Sequence, residues 1–317
     1  MIRAPRNPQV RGCRVVNARE QAGIVRGGAM GDGSPQSNTF HLSMYYRRCW
    51  TWLTEVMAKN CLGCAVPLGA NRTDEHVIAL WLLKELGLKE EELRQIVANS
   101  HTGDMGEPRE PHPMQSFLQG SICARCNSGW LSQLESDAQA VLPALLNGTR
   151  IPTSLSDSEC LIVSRWMLKT AVVLSHAAPL KKPLPPEHLQ FLRNNLTDLP
   201  PQVGVFATFT VPTREFGSRQ RNHWVNGSLS ETPALLAEMR AGAYKLSIQL
   251  RRLLLMAAYL PRVSSQFLLA AGLHIPLWPM LPIFPCYKAD LTFEPPYDSI
   301  KVLAIFNDSL GALHVAE

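Results

Sequence analysis

The 317-residue chain contains no uninterrupted apolar run of about eighteen residues or more, so a helical membrane span is not expected. The longest such run, around residues 253–260, is too short to cross a bilayer. Its first residues lack the apolar stretch behind basic residues that marks a secretory signal. No internal repeat is visible. A disulfide framework is also missing, although the chain holds eight cysteines. Four of them sit in two Cys-x-x-Cys knuckles, while Cys13, Cys49, Cys160 and Cys286 are scattered singly. That pattern fits a reducing compartment with one metal site better than an oxidising one. The expectation is a soluble cytoplasmic protein with no membrane partner.

The charge excess is small and confined to one end. Eight arginines before residue 57 face only Glu20, Asp32 and Glu55, which accounts for the whole net charge of +5. Residues 57–317 are therefore balanced, and the basic pI says little about nucleic-acid binding. Residues 1–56 are expected to be a disordered basic arm, or sequence upstream of the true start. Met57, just before the first knuckle, would be a natural start.

Residues 57–150 read as a metal-bearing unit. Cys61-Leu-Gly-Cys64 and Cys123-Ala-Arg-Cys126 supply two thiol pairs at the spacing a tetrahedral zinc ion requires. Glu75-His76 lies between them, and Asn127 directly follows the last cysteine. A short buried helix is expected over Val77–Glu85, and a second, exposed one over Glu90–Val97. Leu131, Leu134, Ala138, Val141, Leu142 and Leu145 line one face of a further helix ending near Asn147-Gly148.

Residues 151–317 have a different texture. Ser156-Asp-Ser-Glu159 is a capping box before an apolar helix, and Pro185-Pro186-Glu187 opens another. Strands are expected at 203–211, 244–250, 252–259 and 300–306. Helices followed by strands indicate an α+β domain around an antiparallel sheet. No chemical constellation stands out in this half, and its role is left open.

The knuckles, the run Glu75-His76-Val77-Ile78 and Asn127 together resemble the zinc-bound branch of the HNH endonucleases, the ββα-metal superfamily. The resemblance covers roughly residues 58–148. It implies a treble-clef module with a structural zinc on Cys61, Cys64, Cys123 and Cys126. It also implies Glu75 and Asn127 as ligands of a catalytic magnesium or manganese ion, and His76 as the general base. Those parts suit phosphodiester hydrolysis: a base near neutral pKa activates water, and a hard cation offsets charge on the phosphate. The sequence departs from the pattern in two ways. Ala79 stands where a proline commonly follows, and no third His or Asn ligand follows Asn127.

Plainer roles compete at each position. Asn127 is also a favoured N-cap residue. Trp130 and Trp166 read as core, Glu135 as a surface or capping carboxylate, and Arg72, Arg125, His101 and His112 as solvated groups. The resulting expectation is a metal-dependent endonuclease acting on nucleic acid, DNA being favoured. The alternative is a catalytically inactive, zinc-stabilised nucleic-acid-binding or protein-interaction module. The neutral charge of residues 57–317 leans toward that alternative, whereas the intact Glu75, His76 and Asn127 favour the enzyme. Oligomeric state is left open.

Overall fold

In the computed structural model, residues 57–317 form one compact unit. The structure describes residues 59–93, 110–177, 183–212, 216–222, 237, 242–261, 265–270, 272–278, 284–287 and 299–314. The basic arm, His101 and most of the helix expected over 90–97 lie outside these. Within that unit the fold is α+β, with helices packed on antiparallel sheet.

The chain enters through the first cysteine knuckle and forms strand β1 (Arg72–His76). Helix α1 (Leu80–Leu86) follows at once and buries Leu82, Leu83 and Leu86. Gly87 ends it at φ 72°, where its backbone N–H bonds back to the Leu83 and Lys84 carbonyls, so the left-handed turn needs a glycine. Residues 90–93 are not helical: Glu92–Leu93 (β2) pairs instead with His112–Pro113 (β3). Strand β4 (Leu118–Cys123) then lies antiparallel to β1 and delivers the second knuckle to the first.

A helical turn at Ala124–Cys126 and a π-type bulge at Asn127–Leu131 lead into α2 (Ser132–Leu146). All six residues expected on its apolar face are buried. Helix α3 (Asp157–Ala177) starts at the capping box: Ser156 N–H donates to Glu159 at 2.8 Å, and Glu159 N–H reaches Ser156 Oγ at 3.4 Å. Its length and composition would suffice to cross a membrane, but 78% of its most apolar window is buried inside the protein. Helix α4 (Pro186–Asn194) follows.

A five-stranded sheet is built from β5 (Val203–Phe209), β6 (Phe216–Asn222), β7 (Tyr244–Leu250), β8 (Leu253–Tyr259) and β10 (Ile275–Trp278). Its order is β10-β5-β8-β7-β6, with every neighbour antiparallel. Strand period sorts the side chains. Val205, Ala207, Ile248, Leu253 and Leu255 join the core that includes α2, α3 and both knuckles. Phe206, Leu254, Met256 and Ala258 point the other way. That second face is covered by helix α5 (Ser299–Asp308) through Val302, Leu303 and Phe306. A smaller sheet, β11-β9-β12, completes this side; β9 is Ser265–Ala270, β11 is Phe284–Tyr287 and β12 is Leu310–His314.

Residues 300–306 were expected as a strand, and the structure makes them helix. The apolar positions 302, 303 and 306 fall on one helical face, and the sheet offers that face an apolar partner. The principal core runs from Cys61 to Leu277 without a break at residue 150.

His188 of α4 is buried on this frame, with its Nδ1 2.7 Å from the Tyr244 hydroxyl. Burial lowers it to about 4, so it folds neutral, whereas the unfolded imidazole takes a proton near 6.5. Between those values the unfolded chain binds more protons, so stability should fall as pH drops from 6.5 toward 4. The expected slope from His188 is on the order of 1 kcal/mol per pH unit. Urea unfolding at pH 6.5, 5.5 and 4.5 should show a shallower slope for His188→Gln than for wild type; equal slopes would remove His188 as the source.

Candidate functional site

The antiparallel β1–β4 pair is the frame. Cys61 and Cys64 lie on a tight knuckle closed by Cys61 N–H to Val66 O and Ala65 N–H to Cys61 O, both at 2.8 Å. Ala65 takes φ 59° to make that turn. Gly63 passes so close to the second knuckle that a Cβ there would lie 3.3 Å from Cys126 Sγ and 3.5 Å from the Trp130 ring. The Cys123 N–H donates to Cys61 Sγ at 3.3 Å.

All four sulfurs lie within 4.8 Å of one another, and none forms a disulfide. The Cys64–Cys123 sulfur separation of 3.7 Å is close to the roughly 3.8 Å edge of a tetrahedron with metal–sulfur bonds of about 2.3 Å. Burial raises the Cys61 and Cys126 thiols above their ordinary value. Burial acts the same way on Cys123, but the Cys126 amide and the neighbouring thiols outweigh it and bring Cys123 down to about 7. The Trp130 indole N–H is buried with no oxygen or nitrogen partner, and it favours the Cys126 thiolate. Four convergent thiols with an N–H turned toward them suit a bound cation, and these residues could hold a metal ion.

Beside the knuckles lies a cavity of about 420 Å³. Glu75, His76 and Asn127 all line it. Thr73, Trp81, Leu131 and Glu135 line it as well. A bulge between Thr73 and Glu75 shifts the register of β1 against β4, a distortion that re-aims strand side chains. The π-type bulge at Asn127–Leu131 contains a non-helical Gly129, and such bulges often lie at functional sites.

Asn127 does not cap the following helix. Its backbone is already helical, and its side-chain N–H donates to Thr73 Oγ1 and to the Asp74 carbonyl, both at 3.2 Å. These bonds fix the amide by its nitrogen; among the described residues its oxygen has no partner. His76 is half-buried. Burial lowers its pKa below the ordinary 6.5; the Glu75 carboxylate opposes the shift and the Lys169 ammonium adds to it.

Glu135 is not a surface carboxylate. Its Oε2 accepts from the Trp81 and Trp166 indoles at 2.9 and 3.0 Å, and its Oε1 accepts from Lys169 Nζ at 2.7 Å. The same ammonium lies 2.6 Å from Glu75 Oε1. The Lys169 side chain is fully buried in α3, so the half of the chain without a visible motif supplies the cation of the site. Burial works to lower the Lys169 pKa, but the two carboxylates outweigh it and raise it. No motif spacing marks Lys169 or Glu135. The sequence signal was slight: Lys169, like Arg165, is a charged residue in the middle of a largely apolar helix. Arg72 folds across Gly120, where a Cβ would collide with its guanidinium.

Comparison with protein-family models, curated proteins and solved structures finds no match to this chain.

Replacing Lys169 with Met leaves two buried carboxylates without their cation, which should cost about 3–5 kcal/mol of stability. Adding Glu135→Gln should recover a substantial part of that loss in a double-mutant cycle read by urea unfolding. Strict additivity of the two losses would show that the ion pair contributes nothing.

Proposed function

We propose that this protein is a zinc-stabilised, metal-dependent endonuclease of the HNH type, hydrolysing nucleic-acid phosphodiesters, with DNA the favoured substrate. The observation that carries the reading is the convergence of Glu75, His76 and Asn127 on one cavity beside four clustered thiols. In this reading Cys61, Cys64, Cys123 and Cys126 hold a structural zinc with no open position. The antiparallel β1–β4 pair and the helical segment after it would then form the treble-clef module.

The chain's own groups divide the chemistry among them. His76, kept neutral near physiological pH by its partial burial, accepts the proton of the attacking water. Glu75 spends one oxygen on Lys169 and keeps the other without a partner among the described residues. Asn127 is anchored by its nitrogen and offers its amide oxygen. A carboxylate oxygen and an amide oxygen fit magnesium or manganese, which prefer hard donors and keep several waters. When bound there, such an ion would neutralise charge on the phosphate. Leu131, Ala79 and Leu80 give the cavity an apolar wall.

The second reading, an inactive zinc-stabilised binding module, is favoured by the same Lys169 contact. An ammonium 2.6 Å from Glu75 competes electrostatically with a divalent cation.

Two measurements test the proposal. Purified full-length protein should carry about one zinc per chain, as four thiolates require, and Cys126→Ser should lower zinc content and thermal stability together. Full zinc content in Cys126→Ser would remove that thiol from the ligand set. Plasmid nicking with magnesium or manganese should fall about 10²–10⁴-fold in His76→Ala while zinc content stays unchanged. Equal nicking by this variant would exclude His76 as base, and no cleavage of any nucleic acid by wild type would favour the binding module.

A further inference from the structure

Two carboxylates and one ammonium meet at the inner wall of the cavity, each from a different element. Glu75 comes from β1, Glu135 from α2 and Lys169 from α3. Their side chains are 9%, 15% and 0% exposed, so solvent does little to screen them. The trio carries one unit of negative charge. His76 is the neighbouring titratable group on the cavity, and Asp74 lies on the exposed side of β1.

The ammonium has consequences for any cation that uses Glu75. Without Lys169, Glu75 and Glu135 would present two negative charges to the cavity and attract a divalent cation strongly. With it, an incoming dication meets one net negative charge and an ammonium already seated on Glu75 Oε1. At separations of a few ångströms, each unit of charge changes dication affinity by about tenfold or more, even at the effective dielectric of a protein surface. An anionic phosphodiester entering the cavity would restore the missing negative charge.

Resting on the endonuclease reading above, we propose that Lys169 is a resident counter-cation that holds the site's divalent-cation affinity low until an anionic substrate group arrives. Metal loading is then coupled to substrate loading by charge alone. The helix that supplies Lys169 belongs to the second half of the chain, so this half tunes the site through a side chain that is itself fully buried. Lys169 is a positioning and tuning residue, not a catalytic one.

The test is a charge ladder read as manganese binding, without nucleic acid, on zinc-loaded full-length protein by electron paramagnetic resonance. The Glu75–Glu135–Lys169 trio carries −1 in wild type, −2 in Lys169→Met, 0 in Glu135→Gln and −1 in Lys169→Met/Glu135→Gln. Manganese should bind Lys169→Met at least about tenfold more tightly than wild type, and Glu135→Gln about tenfold more weakly. The double variant should return to the wild-type value, and Lys169→Arg, which keeps the charge, should stay near it. If Lys169→Met proves too unstable to load, the loss in Glu135→Gln and its recovery in the double variant keep the test decisive. Equal affinity across the ladder overturns the proposal. Weaker binding by Lys169→Met also overturns it, because a merely structural lysine would lower affinity by disordering Glu75. No binding by any variant overturns it as well. Glu75→Gln separates the two levels: if it binds manganese as wild type does, Glu75 is not a ligand and the endonuclease reading itself fails.

Discussion

Lys169 Nζ, fully buried, lies 2.6 Å from Glu75 and 2.7 Å from Glu135, and the geometry of the cavity depends on that contact. An ammonium cannot be taken out of water unless charge and hydrogen bonds meet it inside. Here two carboxylates do so, from a strand and a helix in the first half of the chain. The requirement therefore fixes how α3 packs against β1 and α2. It also sets the direction of the carboxylate that faces the cavity. Glu135 is held on its remaining side by the indoles of Trp81 and Trp166, so the network has little freedom to rearrange.

A second constraint acts more locally. Four sulfurs within 4.8 Å of one another cluster at one end of the antiparallel β1–β4 pair, where Arg72 lies opposite Cys123. The thiol cluster sets where β4 ends and where the helical segment after Cys126 begins. Asn127 directly follows the last of those thiols, whereas Glu75 and His76 lie at the far end of β1, opposite Gln119 and Leu118. A bulge in β1 and a π-type bulge after Cys126 lie next to these residues, all three of which line the cavity. The anchoring is thus divided: thiols fix the backbone, and the buried ion pair fixes the carboxylate.

Different parts of this arrangement were legible to different degrees. The knuckles, the Glu-His pair and Asn127 could be read because each depends on neighbours a few residues away. Helices α2 and α3 could be read from their 3.6-residue period and from the Ser156–Glu159 capping box. The segment 299–308 could not. A short apolar stretch fits either a strand or a helix, and the sheet beneath it decided for helix. Asn127 misled in a smaller way. Its residue type suits an N-cap, yet the chain is already helical there and the amide is drawn to Thr73 and Asp74 instead. Glu135 read as a surface group because nothing nearby in sequence discloses a lysine 34 residues away.

The sequence by itself determined the chemical inventory: four thiols paired for one ion, an acid beside an imidazole, an amide after the last cysteine, and a balanced charge over residues 57–317. It determined these because local spacing and composition need no partner from elsewhere in the chain. Tertiary structure alone decided that a lysine in a largely apolar helix reaches the acid, that Glu135 faces inward, and that residues 299–308 form a helix. Each of those outcomes depends on burial, and burial is a property of what packs against a residue rather than of the residue and its neighbours in the chain.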